Sequence, residues 1–217
     1  MSAEKVPAPV HEGRRLDWFP LFDERSRAYA AAPAAQTFPT RGRLWQPGKV
    51  LDQGNEGACC GFAAAAEAAA DPVRVPRVTN AYARGWYRNA QRRDDWPGEA
   101  YDGTSVLGTM KEGKARGVYG RYGWFFTPEQ LAHGLVRDEA EDGGPAVLGI
   151  EWREGSYATD ELGVLRPSGD VVGGHALCLF GVVVPADLTA DDAAARQLLD
   201  DLEERRALGT EPVRDQG

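Results

Sequence analysis

The stretch Asp52-Gln53-Gly54-Asn55-Glu56-Gly57-Ala58-Cys59-Cys60-Gly61-Phe62, continued by Ala63-Ala64-Ala65-Ala66-Glu67-Ala68-Ala69-Ala70, decides the fold. Its first half is polar and rich in glycine, the composition of a loop. Its second half is dominated by alanine, the strongest helix former, and Phe62, Ala65, Ala66 and Ala69 recur on one helical face. The pattern predicts a helix from Ala58 to about Ala70, stopped by Asp71-Pro72. A cysteine therefore stands in the first turn of a helix, where a loop enters it. A thiol in that position feels the positive end of the helix dipole, which favours the thiolate.

Further helices are expected from Asn80 to about Arg92, with Ala81, Trp86 and Tyr87 turned inward, and from a Thr104 or Ser105 cap to about Arg116. A fourth opens at Pro128 and runs to about Arg137. The character changes at Pro145. Ala146–Ile150 reads as a buried strand, Gly163–Leu165 as a short one, and His175–Val184 as a strong strand opened by its histidine. Helices first and strands later predict an α+β fold of segregated lobes, one helical and carrying Cys59, the other of strands and carrying His175. Residues 1–44 form an N-terminal arm, largely irregular, with an apolar patch from Leu16 to Phe22 laid over the domain. Residues 45–184 form that domain, entered by a short extended stretch over Leu44–Gln53. Residues 185–217 read as an acidic helical tail with an apolar stripe at Ala195, Leu198, Leu199 and Leu202.

Charge and composition exclude several classes. The 217 residues carry a net charge of −8, which argues against a nucleic-acid partner. From Ala186 onward nine acids face four arginines, a net of −5. The longest apolar run, Ala176–Ala186, is too short to span a bilayer and is broken by Gly181 and Pro185, so no membrane association is expected. Met1–Arg15 has no apolar centre of the kind a secretory signal needs. Three cysteines, Cys59, Cys60 and Cys178, make no disulfide framework and point to a reducing, cytoplasmic setting. The adjacent pair lacks the spacing of a structural zinc site, so neither metal nor cofactor is expected. Gly108–Ala115 resembles a phosphate-binding loop until Ala115, which lacks the magnesium-ligating hydroxyl.

One constellation carries chemistry. Gln53 lies six residues before Cys59, and Gly173-Gly174-His175 lies 116 residues after it. A histidine on a strand of the opposite lobe can pair with a thiolate and later protonate a leaving amine. The Gln53 amide, with a backbone N–H at the helix start, can donate to a developing oxyanion. Glycines before the histidine let a substrate backbone come close. Singly, each residue has a bland reading: a cysteine in an alanine-rich helix is usually core, and a strand histidine is usually structural. In this order and context they point together to a nucleophile and its base. Cys178 reads as core, His11 and His133 as surface residues, and Trp86, Trp124 and Trp152 as packing residues, with a place for Trp152 beside the cleft.

The Gln53-Gly54…Cys59…Phe62 segment resembles the active-site segment of papain-like cysteine peptidases, in which Gln-Gly precedes the nucleophilic cysteine and Trp-Ala-Phe follows it. Cys60 stands where the family has tryptophan, and Glu56 where it has a disulfide cysteine. Tyr101–Lys111 resembles the glycine-then-helix segment beside the cleft, and Gly144–Ile150 with Gly173–Val182 resembles the strand pair that holds the histidine. The likeness covers about Trp45 to Val183 and is strongest to compact bacterial and phage members. It implies a papain-like fold and hydrolysis of a peptide or protein substrate through Cys59, His175 and an acyl-enzyme thioester. It further implies an oxyanion hole at Gln53 and substrate contacts at Gly103 and Gly174. The chain departs from the pattern after Val184, where no Asn-Ser-Trp-Gly segment follows, so the β lobe is expected to be an incomplete barrel. Asp187 and Asp191 lie downstream of His175 and could in principle orient it, but both read first as solvated turn or capping residues. Two alternatives stand beside the peptidase: an inactive papain-fold binding protein, and another acyl transferase or amidase of the superfamily. Peptide preference and oligomeric state are not legible in the sequence.

Overall fold

A computed structural model describes residues 10–11, 14–16, 18–20, 23–31, 37–94, 102–139, 142–159 and 165–183. The central element is α1, Cys59–Ala69, within a residue of its expected bounds. Almost all of it is buried, because it is packed from both sides. On one side lie α2 (Asn80–Gln91) and α3 (Val106–Ala115). On the other lies an antiparallel pair, β4 (Ala146–Arg153) and β5 (Val171–Leu179). Small side chains permit this. At Gly61 the α2 backbone around Tyr87 comes so close that any side chain would collide with it. The core on that side gathers Phe62, Ala64, Ala65, Ala68, Trp86 and Tyr87. Trp86 is wholly buried, and its indole N–H donates to the Thr109 carbonyl at 2.9 Å. Ala81, expected inside, is exposed; the buried stripe of α2 is Ala83, Trp86, Tyr87 and Ala90. Positions 83, 86/87 and 90 recur at helical spacing, and position 81 falls off that face.

A buried carboxylate ties α2 to α3. Glu112 is 2% exposed and accepts from Arg93 at 2.5 Å, Arg116 at 2.6 Å and Asn89 at 3.0 Å. The fourth helix, α4 (Pro128–Val136), packs against a small antiparallel pair, β3 (Arg43–Leu44) with β6 (Gly181–Val182). In the arm, β1 (Val10–His11) and β2 (Arg14–Arg15) form a short hairpin.

The strands differ from expectation in extent. β4 runs three residues past Ile150, and β5 begins four residues before His175. The β-branched pair Val171-Val172 keeps the chain extended, and pairing continues through a bulge near Trp152 and Arg153. His175 is thus placed mid-strand, opposite Ile150, and Phe180 interrupts the strand before β6. In the stretch Leu44–Gln53 pairing stops after Leu44 and the Trp45 N–H, which donates to the Phe180 carbonyl at 2.7 Å; Pro47 has no N–H to give and Gly48 lies against Ala69. Leu165 makes only an isolated bridge to Thr159. The tail from residue 185, with Asp187 and Asp191, lies outside the described residues. Among the described residues the chain is α+β, with two-stranded antiparallel sheets and no closed barrel. None of their helices is long and apolar enough to cross a membrane.

Candidate active site

The loop before α1 is held by its own polar side chains. The Asp52 carboxylate accepts from the Gly54 N–H at 2.9 Å, and Asn80 accepts from the Asp52 N–H at 3.1 Å. The Gln53 amide donates to the Glu56 carbonyl at 3.2 Å, and the Glu56 carboxylate pairs with Arg84 at 2.7 Å. The loop is thereby fastened to α2. The helix that follows begins differently from the other three. Thr79, Ser105 and Thr127 each accept a first-turn N–H of α2, α3 and α4. The N-cap of α1 is Ala58, which has no side-chain acceptor. The first-turn donors of α1 therefore carry no side-chain cap where Cys59 sits.

Cys59 is buried, at 1% exposure, and its thiol is held well below the usual thiol range. The Cys60 side chain is the foremost cause, through a hydrogen bond to the Cys59 sulfur. Burial works against it, and the neighbouring His175 imidazole and the Ala176 N–H work with it. The Cys60 S–H has two acceptors in reach, the Cys59 sulfur and the Thr104 carbonyl oxygen at 3.3 Å. Gln53, Cys59 and His175 line one cavity of about 250 Å³, walled by Phe62, Leu177 and Phe180. Three residues far apart in sequence, on a loop, a helix start and a strand, come together there.

Trp152 fixes the imidazole. Its ring meets that of His175 edge-on, with centroids 4.8 Å apart and planes at 74°. Among the described residues no carboxylate or amide hydrogen-bonds either ring nitrogen, and Nδ1 is sealed from solvent without a hydrogen-bond partner. The arrangement is a low-pKa thiol at a helix start with an imidazole beside it, the chemistry of a nucleophile and a proton carrier. No protein family, curated protein or solved structure matches this chain.

Gly103 and Gly174 do not line that cavity. Gly103, at φ +91°, has both backbone groups engaged: its N–H donates to the Tyr87 hydroxyl at 2.8 Å and its carbonyl accepts from Gln91 at 3.2 Å. Gly174 is covered by the arm. The Trp18 N–H donates to the Gly174 carbonyl at 3.0 Å, and the Phe19 N–H donates to the Thr104 carbonyl at 3.0 Å. Trp18 lies so close over Gly174 that a side chain at 174 would collide with it. Its indole packs on the cluster of Cys59, Cys60, Ala63 and Ala176. The arm thus bridges α3's N-terminal approach and β5 directly over the thiols. The apolar patch around Trp18 signalled contact with the domain; which surface it covers was not readable from the patch itself.

Cys178 also lines the cavity, but burial, assisted by the negative charge of Glu67, pushes its thiol well above the usual range. It is no competitor for the nucleophile's place. Among the described residues no three histidine, cysteine or carboxylate side chains gather as a metal site requires.

Proposed function

We propose that the chain is a papain-like cysteine peptidase that cleaves peptide bonds through Cys59 and His175. The observation that carries this reading is that Gln53, Cys59 and His175 line one cavity, with Cys59 at a helix start without a side-chain cap. The Cys59 thiolate attacks the scissile carbonyl carbon, and its electrons move onto the carbonyl oxygen. Gln53 and the backbone N–H of Cys59 donate to that oxyanion. The oxyanion collapses, the C–N bond breaks, and the His175 imidazolium gives its proton to the departing amine. A thioester remains. His175 then takes a proton from water as the water attacks, and the carboxylic acid leaves with Cys59 restored. The arm occupies the Gly174 and Thr104 carbonyls, so an extended substrate pairs with them only after Trp18 and Phe19 withdraw.

Turnover of an unfolded protein substrate, with reductant present, is compared between wild type and Cys59→Ala. Loss of turnover in the variant is expected, and equal turnover in the two sinks the reading. A second reading, a papain-fold binding protein without turnover, draws on the burial of Cys59 and on the lack of an orienting group among the described residues. A thiol-directed epoxide separates the two. Fast labelling at Cys59 with slow labelling at Cys178 supports the peptidase; a Cys59 that resists even in Trp18→Ala supports the binding protein.

A further inference from the structure

Beside α1 at Glu67 lies a second, much larger cavity, of about 1380 Å³. Ligand cavities commonly run to about 300–1,000 Å³, so there is room here for a small organic molecule and water. Its walls carry the rings of Tyr29, Tyr119, Tyr122, Trp124, Phe125 and Phe126. Two carboxyls lie among them, that of Asp142, which pairs with Arg121, and that of Glu67 on α1. Its Oε2 accepts from the Tyr119 hydroxyl, and Oε1 has no hydrogen bond among the described residues. No lysine or arginine among them pairs with Glu67. The cations on the wall are engaged elsewhere: Arg121 pairs with Asp142, and Arg137 donates to the Ala31 carbonyl at 3.2 Å.

Burial pushes the Glu67 carboxyl up to about 7, against the opposing hydrogen bond from Tyr119. The groups facing it are Tyr119, from the segment after α3, and Cys178, from β5, both held neutral by burial. Tyr82 of α2 adds only to the field at Tyr119. The cavity therefore offers an acidic group with no positive partner, surrounded by aromatic faces that attract cations. We propose that this cavity binds an organic amine with an aromatic or aliphatic body, its ammonium at Glu67 and its body against the surrounding rings. The site shares the wall residue Trp18 with the peptidase reading but uses neither Cys59 nor His175.

Calorimetric titration of the full chain with 2-phenylethylamine, and with the neutral 2-phenylethanol, tests it. The amine is expected to bind at least about tenfold more tightly than the alcohol, and Glu67→Gln to remove that preference. Affinity for the amine is expected to fall roughly tenfold from pH 8 to pH 6, as the carboxyl takes up its proton. Tyr119→Phe is expected to retain binding, since the carboxyl remains. Equal affinity for amine and alcohol, full binding by a folded Glu67→Gln, or no amine binding at millimolar concentration overturns the proposal. Should Glu67→Gln not fold, the amine–alcohol comparison and the pH series on the wild type decide alone.

Discussion

At the scale of single residues, the most consequential departure from the family pattern is Cys60. The sequence marks it only as a cysteine standing where tryptophan is expected. In the fold its thiol lies between the Cys59 sulfur and the Thr104 carbonyl, and it is the foremost influence lowering the Cys59 pKa. A hydrogen bond to a charged group contributes about 1.5–3 kcal/mol, equivalent to about one to two pH units. Cys60→Ala is accordingly expected to move the midpoint of Cys59 alkylation to higher pH by about one unit. An alkylation profile identical to wild type would remove Cys60 from the site. Trp152 was legible as a packing aromatic, but its edge-on contact with His175 was not, because it depends on the register that sets Ile150 opposite His175 and Trp152 opposite Gly173.

Among the elements, the arm and the α2–α3 pair make separate demands. The arm takes up hydrogen-bonding positions on two elements at once, through Trp18 and Phe19. Trp18→Ala is expected to expose Cys59 and raise its alkylation rate by about tenfold or more, the equivalent of about 1.4 kcal/mol of lost occlusion. An unchanged rate would mean that the arm does not guard the thiol. Between α2 and α3, Glu112 is buried against Arg93, Arg116 and Asn89. Burial raises its pKa, but the three hydrogen bonds outweigh burial and leave it below the usual carboxylate range. Glu112→Gln is expected to cost about 3 kcal/mol of stability at neutral pH, seen as a lower urea midpoint. A folded pKa below the unfolded one means that this contribution is present above the unfolded pKa and is lost as pH falls through the folded value. The gap between wild type and variant should therefore close in acid.

Over the whole molecule, Glu67 has the opposite sign. Its carboxyl is raised from 4.5 to about 7 in the fold. Between those values the unfolded chain has lost a proton that the folded chain keeps, so stability falls as pH rises through that window and levels off above it. The full effect is about 3 kcal/mol. Glu67→Gln is expected to flatten that part of the stability–pH curve measured by denaturant unfolding; a curve of unchanged slope between pH 5 and pH 7 would place the charge effect elsewhere.

Much of the frame was legible because it is local. Alanine propensity and a polar glycine loop are enough to set α1 and to stand Cys59 at its start; a Thr104 or Ser105 cap marks the start of α3 and Pro128 that of α4, while the Thr79 and Thr127 caps emerged only in the fold. Runs of apolar residues marked β4 and β5, though not their full length, since strand length depends on how far two distant segments stay paired. The inward set of α2 was misjudged at Ala81 because the choice of face depends on the neighbours it docks against. By itself the sequence determined an α+β chain with a cysteine at a helix start and a histidine on a strand. Only the tertiary structure decided that Gln53, Cys59 and His175 share one cavity, that Trp18 covers the thiols, and that Glu67 faces a second cavity with no cation paired to it. Propensity and periodicity act over a few residues, whereas those contacts join segments tens to more than a hundred residues apart and exist only once the elements have packed.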